Sequence, residues 1–81
     1  MKKVTIYTTP TCGFCKMTKE FFKDNGVDYT EHDVSTDSDM AQKMVEKSGQ
    51  MGVPVILIGE GDSEKVIVGF DEAQLKEVLG L

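Results

Sequence analysis

Apolar residues recur along the chain with two different periods, and the changes of period divide it into strands and helices. An alternating stretch of β-branched residues at 4–9 predicts a first strand. A helical period follows at about 13–24, and Asn25-Gly26 after it supplies a stop signal. A second alternating stretch covers 27–34. Because this stretch follows the helix closely, the three elements predict a right-handed parallel β-α-β unit.

A second helix is predicted from capping side chains and an apolar stripe. Residues 35–38 offer several capping groups, and Gly49 marks the end of the helix. The stripe has helical spacing and consists of Met40, Ala41, Met44 and Val45. We therefore expect this face to pack on the sheet.

The last third of the chain predicts two strands and a helix. The continuous apolar run Pro54–Ile58 is typical of a strand that is buried on both faces. Turn residues at 59–62 lead to a returning antiparallel strand at 65–68. Asp71, with Gln74 three residues later, is a suitable N-cap for a final helix. The order β-α-β-α-β-β-α predicts an α/β fold with a four-stranded mixed sheet flanked by three helices.

Length and composition predict one small globular domain over residues 1–81. The chain is 40% hydrophobic and 28% charged, with a net charge of −5 and no arginine. We expect no nucleic-acid binding, because phosphate neutralisation by basic side chains supplies much of that affinity. No apolar run reaches the roughly 18 residues of a membrane span, and no signal-peptide core follows Lys2-Lys3. We therefore expect no membrane association and a cytoplasmic location, where structural disulfides are rare.

The candidate chemistry lies in Cys12-Gly13-Phe14-Cys15, between the first strand and the first helix. Cys12 is expected at the start of the helix and Cys15 one turn later, within bridging distance. A helix N-terminus lowers the pKa of a thiol from about 8.5 to roughly 3.5–7.5. The macrodipole accounts for only about 0.3–2 kcal/mol of this effect, so backbone amides must supply the rest. The pattern favours a redox-active dithiol, in which Cys12 attacks and Cys15 resolves.

Two further features of this segment have alternative interpretations. Gly13 either permits the backbone of a partner to approach the sulfur or eases the start of the helix, and Phe14 offers an exposed apolar ring. Lys16 and Lys19 either add positive potential near the sulfur or form a solvated helix face, where salt screens their effect.

Val53-Pro54 precedes the buried strand and is the second candidate feature. Proline often opens a strand because its missing N–H is harmless there. The alternative is a cis peptide bond that turns the backbone N–H and C=O of Val53 toward the cysteines, although only about 5% of such bonds are cis.

Three motifs together resemble the glutaredoxin family over nearly the whole chain. They are Cys12-Gly13-Phe14-Cys15, Gly52-Val53-Pro54 and Val68-Gly69-Phe70-Asp71-Glu72. The resemblance implies a thioredoxin-like fold, a cis proline at Pro54, Cys12 as the nucleophile and Cys15 as the resolving thiol. It also implies that Val53 pairs through its backbone with glutathione or a peptide, that Gln50 contacts the glycine end of glutathione, and that the turn at Gly69–Glu72 holds the γ-glutamyl end at a helix N-terminus. The predicted substrate site comprises Gly13, Phe14, Gln50, Val53, Pro54, Gly69, Phe70, Asp71 and Glu72.

Departures from the family pattern concern the substrate more than the fold. Many glutaredoxins have Pro-Tyr between the cysteines, a lysine three residues before the first cysteine and Gly-Gly-Cys before the last helix. This chain has Gly-Phe, Thr9 and Val-Gly-Phe at those places. Gly69-Phe70 is similar to redoxins that are reduced by thioredoxin reductase and donate electrons to ribonucleotide reductase. The resemblance therefore leaves glutathione and thioredoxin reductase open as the reductant.

The resemblance leads to one principal function and one alternative. We expect a monomeric thiol–disulfide oxidoreductase that acts on protein or glutathione mixed disulfides without a tightly bound cofactor. The Gly-Phe insert also resembles monothiol glutaredoxins, so the alternative is an iron–sulfur cluster carrier that bridges a dimer with glutathione.

Other site types fit the sequence poorly. Two cysteines and His32 are too few for a four-ligand zinc site, and we expect His32 to be a surface residue. We expect the five methionines to fill the core rather than bind copper. A redox-inert interaction module would leave the thiols without a role.

Overall fold

The computed structural model describes residues 2–81 and contains every predicted strand and helix. The strands are β1 (Val4–Thr8), β2 (Thr30–Asp33), β3 (Val55–Ile58) and β4 (Lys65–Val68). The helices are α1 (Gly13–Asp24), α2 (Ser38–Ser48) and α3 (Glu72–Leu79). A short 3₁₀ helix at Gly61–Ser63, which the sequence did not predict, joins β3 to β4.

The strands form one mixed sheet in the order β2-β1-β3-β4. β1 and β2 are parallel, as the β-α-β prediction requires, whereas β3 is antiparallel to both β1 and β4. The predicted α/β fold with a four-stranded mixed sheet and three helices is confirmed.

Each face of the sheet is covered by different helices. On one face, α1 and α3 cover a large cluster that includes Phe22 and Leu75, both fully buried. On the other face, α2 covers a smaller cluster of Tyr7, Met44, Val55 and Leu57. β1 and β3 lie in the middle of the sheet and are buried along their whole length.

The prediction that β2 begins at Val27 is wrong. The backbone N–H of Val27 donates to the carbonyl of Phe22 at 2.8 Å, and Gly26 has a positive φ of 66°. Val27 therefore belongs to the turn that ends α1, where its side chain packs into the larger cluster. Pairing with β1 starts only at Thr30.

The predicted apolar stripe of α2 is wider than the face that the sheet covers. Met44 is 2% exposed, but Val45 is 36% exposed. The expectation that the methionines fill the core is wrong for Met17 and Met51, which are 48% and 81% exposed. Met1 lies outside the described residues.

The helices of the described chain are short. None of those in residues 2–81 is long and apolar enough to cross a membrane.

Candidate active site

Strand register brings the three sequence motifs to one edge of the sheet. Tyr7, near the end of β1, pairs with Val55 at the start of β3, and Val55 pairs with Val68 at the end of β4. The segments that follow β1, precede β3 and follow β4 therefore meet at this edge. These segments carry the cysteines, the Val53-Pro54 bond and the turn at Gly69.

Cys12 caps the N-terminus of α1 with its sulfur. Its backbone is extended (φ −86°, ψ 111°), and its Sγ accepts a hydrogen bond from the backbone N–H of Cys15 at 3.1 Å. This is the position at which the free amides and the helix dipole favour negative charge. The predicted boundary of α1 at residue 13 is confirmed.

The two cysteines form a disulfide, and their exposure differs. Their Cα atoms are 5.2 Å apart. Cys12 is partly exposed, whereas Cys15 is fully buried on the inner face of α1. A large substrate therefore has access to Cys12 but not to Cys15.

Gly13 and Phe14 leave the surface beside Cys12 open and apolar. A Cβ atom at Gly13 would meet nothing within 4 Å, and its φ is not positive, so the fold itself does not require glycine there. The Phe14 ring is 62% exposed, as expected. Open space at Gly13 agrees with the interpretation that a partner approaches closely.

The Val53-Pro54 bond is cis, as the resemblance implied. Within residues 2–81, neither the backbone N–H nor the C=O of Val53 has a hydrogen-bond partner. The carbonyl of Pro54 accepts from the backbone N–H of Gly69 at 2.8 Å, which fixes the end of β4 to the start of β3. Val53 thus presents one free donor and one free acceptor at the edge that carries the cysteines.

Gln50 is engaged by the loop that precedes Val53. Its Oε1 accepts from the backbone N–H of Gly52 at 2.7 Å, and its Nε2 donates to the carbonyl of Gly52 at 2.9 Å. Contact with a ligand through this side chain would require these bonds to break.

Three side chains of the turn at Gly69–Glu72 already make contacts within the protein. Phe70 is half-buried and packs edge-on against Phe21, with ring centres 6.0 Å apart. Asp71 caps α3, accepting from the backbone N–H of Gln74 at 3.1 Å, and Glu72 pairs with Lys76 at 3.2 Å. One of the amides that would bind an anion at this helix N-terminus is therefore already used by a carboxylate.

The sequence interpretation missed two apolar side chains at this edge. Met51 is 81% exposed in the loop before Val53, and Val68 is 52% exposed at the end of β4. Their place beside the motifs was visible in the sequence, but their exposure was not, because apolar residues are usually assigned to the core. With Phe14 they form what we call the apolar rim (Phe14, Met51 and Val68).

Lys19 is paired rather than directed at the sulfur. Its ammonium lies 3.0 Å from the Glu31 carboxylate, which also accepts a hydrogen bond from the Thr8 hydroxyl at 2.7 Å. These bonds hold the pKa of Glu31 below its usual value, the Thr8 hydroxyl having the largest effect. Lys16 is exposed.

His32 is half-buried rather than a surface residue, and its ring centre lies 5.6 Å from that of Tyr7. No group of three or more His, Cys, Asp or Glu side chains within residues 2–81 is arranged to hold a metal ion. A cluster shared between two copies with glutathione would not need such a group, so the carrier hypothesis stays a prediction.

Known proteins resemble this chain both in sequence and in structure. The glutaredoxin family model matches residues 4–62. The chain is 40% identical over 76 residues to a glutaredoxin-like 8.6 kDa protein of the rubredoxin operon of Clostridium pasteurianum, covering 94% of this chain and 96% of that protein. A glutaredoxin from Archaeoglobus fulgidus superposes with a TM-score of 0.81 at 33% identity, covering 98% of this chain and 87% of the other. Methanoredoxin from Methanosarcina acetivorans gives a TM-score of 0.85 at 31% identity, covering 98% and 85%.

Proposed function

The chain belongs to the glutaredoxin family and has its thioredoxin-like fold, and from this premise we propose that it is a dithiol–disulfide oxidoreductase acting on protein disulfides. The observation that carries the proposal is the unequal setting of the two cysteines. Cys12 is partly exposed at a helix N-terminus and accepts an amide hydrogen bond, while Cys15 is buried behind it.

The proposed reaction begins with the reduced dithiol. The Cys12 thiolate attacks one sulfur of the substrate disulfide, and the other substrate sulfur leaves as a thiolate. The Cys15 thiolate then attacks Cys12 Sγ, releases the second substrate thiolate and closes the Cys12–Cys15 bond. The substrate gains two electrons, and the protein loses two.

Positioning of the substrate is assigned to Val53 and the apolar rim. An extended peptide would donate to the Val53 carbonyl and accept from its N–H, as a strand added to a sheet edge does. The exposed Phe14, Met51 and Val68 side chains add apolar surface at the same edge of the sheet. Exposed apolar side chains suit a protein substrate, because a protein partner can bury them on binding.

A protein reductant is favoured over glutathione in this proposal. Asp71 already occupies one amide at the N-terminus of α3, and the Glu72 carboxylate adds negative charge there. Both oppose binding of a further carboxylate, such as one of glutathione. We therefore propose that a thioredoxin-reductase-type enzyme, supplying two electrons from NADPH, reopens the disulfide.

Serine variants of the two cysteines test the mechanism. We expect Cys12→Ser to abolish reduction of a protein disulfide, and Cys15→Ser to accumulate a mixed disulfide with the substrate through Cys12, because resolution is blocked. Non-reducing electrophoresis and mass spectrometry measure the trapped species. Turnover by the Cys12 variant, or no trapping by the Cys15 variant, would refute the assignment.

Two coupled assays test the reductant. The oxidised protein is incubated with NADPH and thioredoxin reductase, or with NADPH, glutathione and glutathione reductase, and NADPH oxidation is followed in both. We expect faster reduction in the first assay. Faster reduction by glutathione would contradict the proposed reductant while leaving the dithiol mechanism intact.

A further inference from the structure

A cavity of about 410 Å³ opens on the α2 face of the sheet, and neither cysteine lines it. Its floor is formed by neighbouring residues of β1 and β2, since Thr5 pairs with Thr30 and Tyr7 with His32. Lys43 and Lys47, one turn apart on α2, line another side. The volume lies in the range of about 300–1,000 Å³ that is typical of small-molecule sites.

The floor of this cavity is apolar toward β3 and polar toward the edge strand β2. The same face carries the apolar cluster of Tyr7, Val55 and Leu57 under Met44. Toward β2 it continues with Thr5, Thr30 and His32.

The hydroxyl group of Tyr7 faces the cavity without a protein partner. Tyr7 is 2% exposed, and no hydrogen bond within residues 2–81 involves its hydroxyl. All side-chain N and O atoms that are completely buried within residues 2–81 have a hydrogen-bond partner. The unpaired Tyr7 hydroxyl is therefore not completely buried, and the cavity that Tyr7 lines gives access to it. A tyrosine hydroxyl is protonated at neutral pH and can donate a hydrogen bond. Burial, and secondarily the Glu64 carboxylate, raise the pKa of Tyr7 further, against a smaller opposing effect of Lys47.

The charges that line the cavity leave one lysine in excess. The Glu64 carboxylate lies 2.8 Å from Lys47, and that of Glu60 lies 3.6 Å from Lys3. No ion pair within residues 2–81 involves Lys43. Both lining carboxylates are thus matched by lysines, and Lys43 remains as an unpaired cation.

We propose that this cavity is a second binding site, for a small molecule that carries a phosphate or carboxylate group. Lys43 supplies the positive charge, and the Tyr7 hydroxyl donates a hydrogen bond to an acceptor on the same molecule. The hydroxyl groups of Thr5 and Thr30 complete a polar lining that accommodates the rest of the ligand. The site is separate from the redox site, since the cysteines, Val53 and the turn at Gly69 are not among its lining residues.

Nuclear magnetic resonance titration of the oxidised, isotope-labelled chain tests the proposal. The probes are glycerol 3-phosphate and succinate at constant ionic strength, which distinguish a phosphate from a carboxylate ligand. We expect saturable shifts of the backbone amides of Tyr7, His32 and Lys43 with at least one probe, and none at Cys12 or Cys15. Absence of saturation with both probes, or shifts centred on the cysteines, would overturn the proposal.

Three variants test whether the ligand binds to these particular side chains or is attracted only by nearby positive charge. Lys43→Gln should weaken binding about tenfold and Tyr7→Phe about fivefold, as expected for loss of a charged and a neutral hydrogen bond. The control is Lys65→Gln, which removes the same charge from an exposed lysine outside the cavity, and it should change binding less than about twofold by charge screening. Equal weakening by both lysine variants, or wild-type binding by Tyr7→Phe, would refute the site.

Discussion

At the scale of single residues, neighbouring positions have very different roles. Cys12 and Cys15 differ by three positions, yet one is partly exposed and the other is fully buried. Thr8 is buried, and its hydroxyl binds a carboxylate 23 residues away in the sequence. A polar side chain that pairs with another segment of the chain, as Thr8 does, stabilises the fold, whereas an unpaired one is free to bind a ligand.

The Thr8–Glu31 bond leads to a pH-dependent prediction for Thr8→Val, which removes the hydroxyl but keeps the shape. Because the folded state lowers the pKa of Glu31 from its usual 4.5, the bond stabilises the fold above that pH and is lost as pH falls through the lowered value. We expect a loss of about 1 kcal/mol at pH 7, reduced from the usual range for charged hydrogen bonds because Glu31 is partly exposed.

Urea unfolding of Thr8→Val and of the wild type, over a pH series that descends from pH 7, measures this difference. The destabilisation should shrink as the pH falls, because Glu31 becomes protonated and loses its charge. A loss that stays the same while Glu31 titrates, as followed by nuclear magnetic resonance, would contradict the role of the ionised carboxylate.

At the scale of elements, the ends of the helices are specified by their own side chains. Each N-cap accepts from the backbone N–H three residues later: Cys12 for α1, Asp37 for α2 and Asp71 for α3. α2 and α3 end at Gly49 and Gly80, which have φ near +74°, a conformation that favours glycine. The cap of α1 is a sulfur atom of the disulfide, so the same atom serves the helix and the proposed reaction.

The cap of α2 gives a prediction with a matched control. Asp37 Oδ1 accepts from the backbone N–H of Met40 at 3.1 Å, whereas Asp39, in the first turn, is not the cap. We expect Asp37→Ala to lower the free energy of unfolding by about 1 kcal/mol. Asp39→Ala removes the same charge and should lose less, about 0.3 kcal/mol.

Thermal unfolding followed by circular dichroism compares the two aspartate variants. Equal losses would mean that charge near the helix N-terminus, and not the capping hydrogen bond, supplies the stability.

At the scale of the whole molecule, the candidate active site and the cavity occupy different parts of the sheet. The edge at the end of β1 carries the disulfide, the free backbone groups of Val53 and the apolar rim. The cavity under α2 lies on one face of the sheet, while the larger apolar cluster fills the other. A chain of 81 residues buries only about 60–65% of its unfolded surface, so each core side chain carries a large share of the stability.

Two phenylalanines test this division between core and surface. Phe22 is fully buried, and Phe14 is 62% exposed at the apolar rim. We expect Phe22→Ala to lose about 3–5 kcal/mol, a large part of the 5–15 kcal/mol typical of small proteins. Phe14→Ala should change stability by less than about 0.5 kcal/mol but slow the reduction of protein disulfides.

Chemical denaturation and a disulfide-reduction assay distinguish the two variants. A strongly destabilised Phe14→Ala protein would show that this ring supports the fold. A destabilisation of Phe22→Ala below about 1 kcal/mol would contradict its place in the core.

The sequence alone determined the features that depend on neighbours a few residues apart. The bounds of α1, the cap at Asp71 and strand β4 follow from periodicity and capping, which act within one or two turns. The cysteine spacing likewise fixed the bridging distance, since residues three apart in a helix share a face.

The tertiary structure decided what depends on strand register and on packing between distant segments. It packed the half-buried Phe70 against Phe21, left Met51 exposed and joined Thr8 to Glu31. It also placed the polar residues of β1 and β2 beside Lys43, although nothing within either strand indicates a cavity. The physical reason is that burial and long-range hydrogen bonds are properties of pairs of segments, and no local pattern encodes which pair will meet.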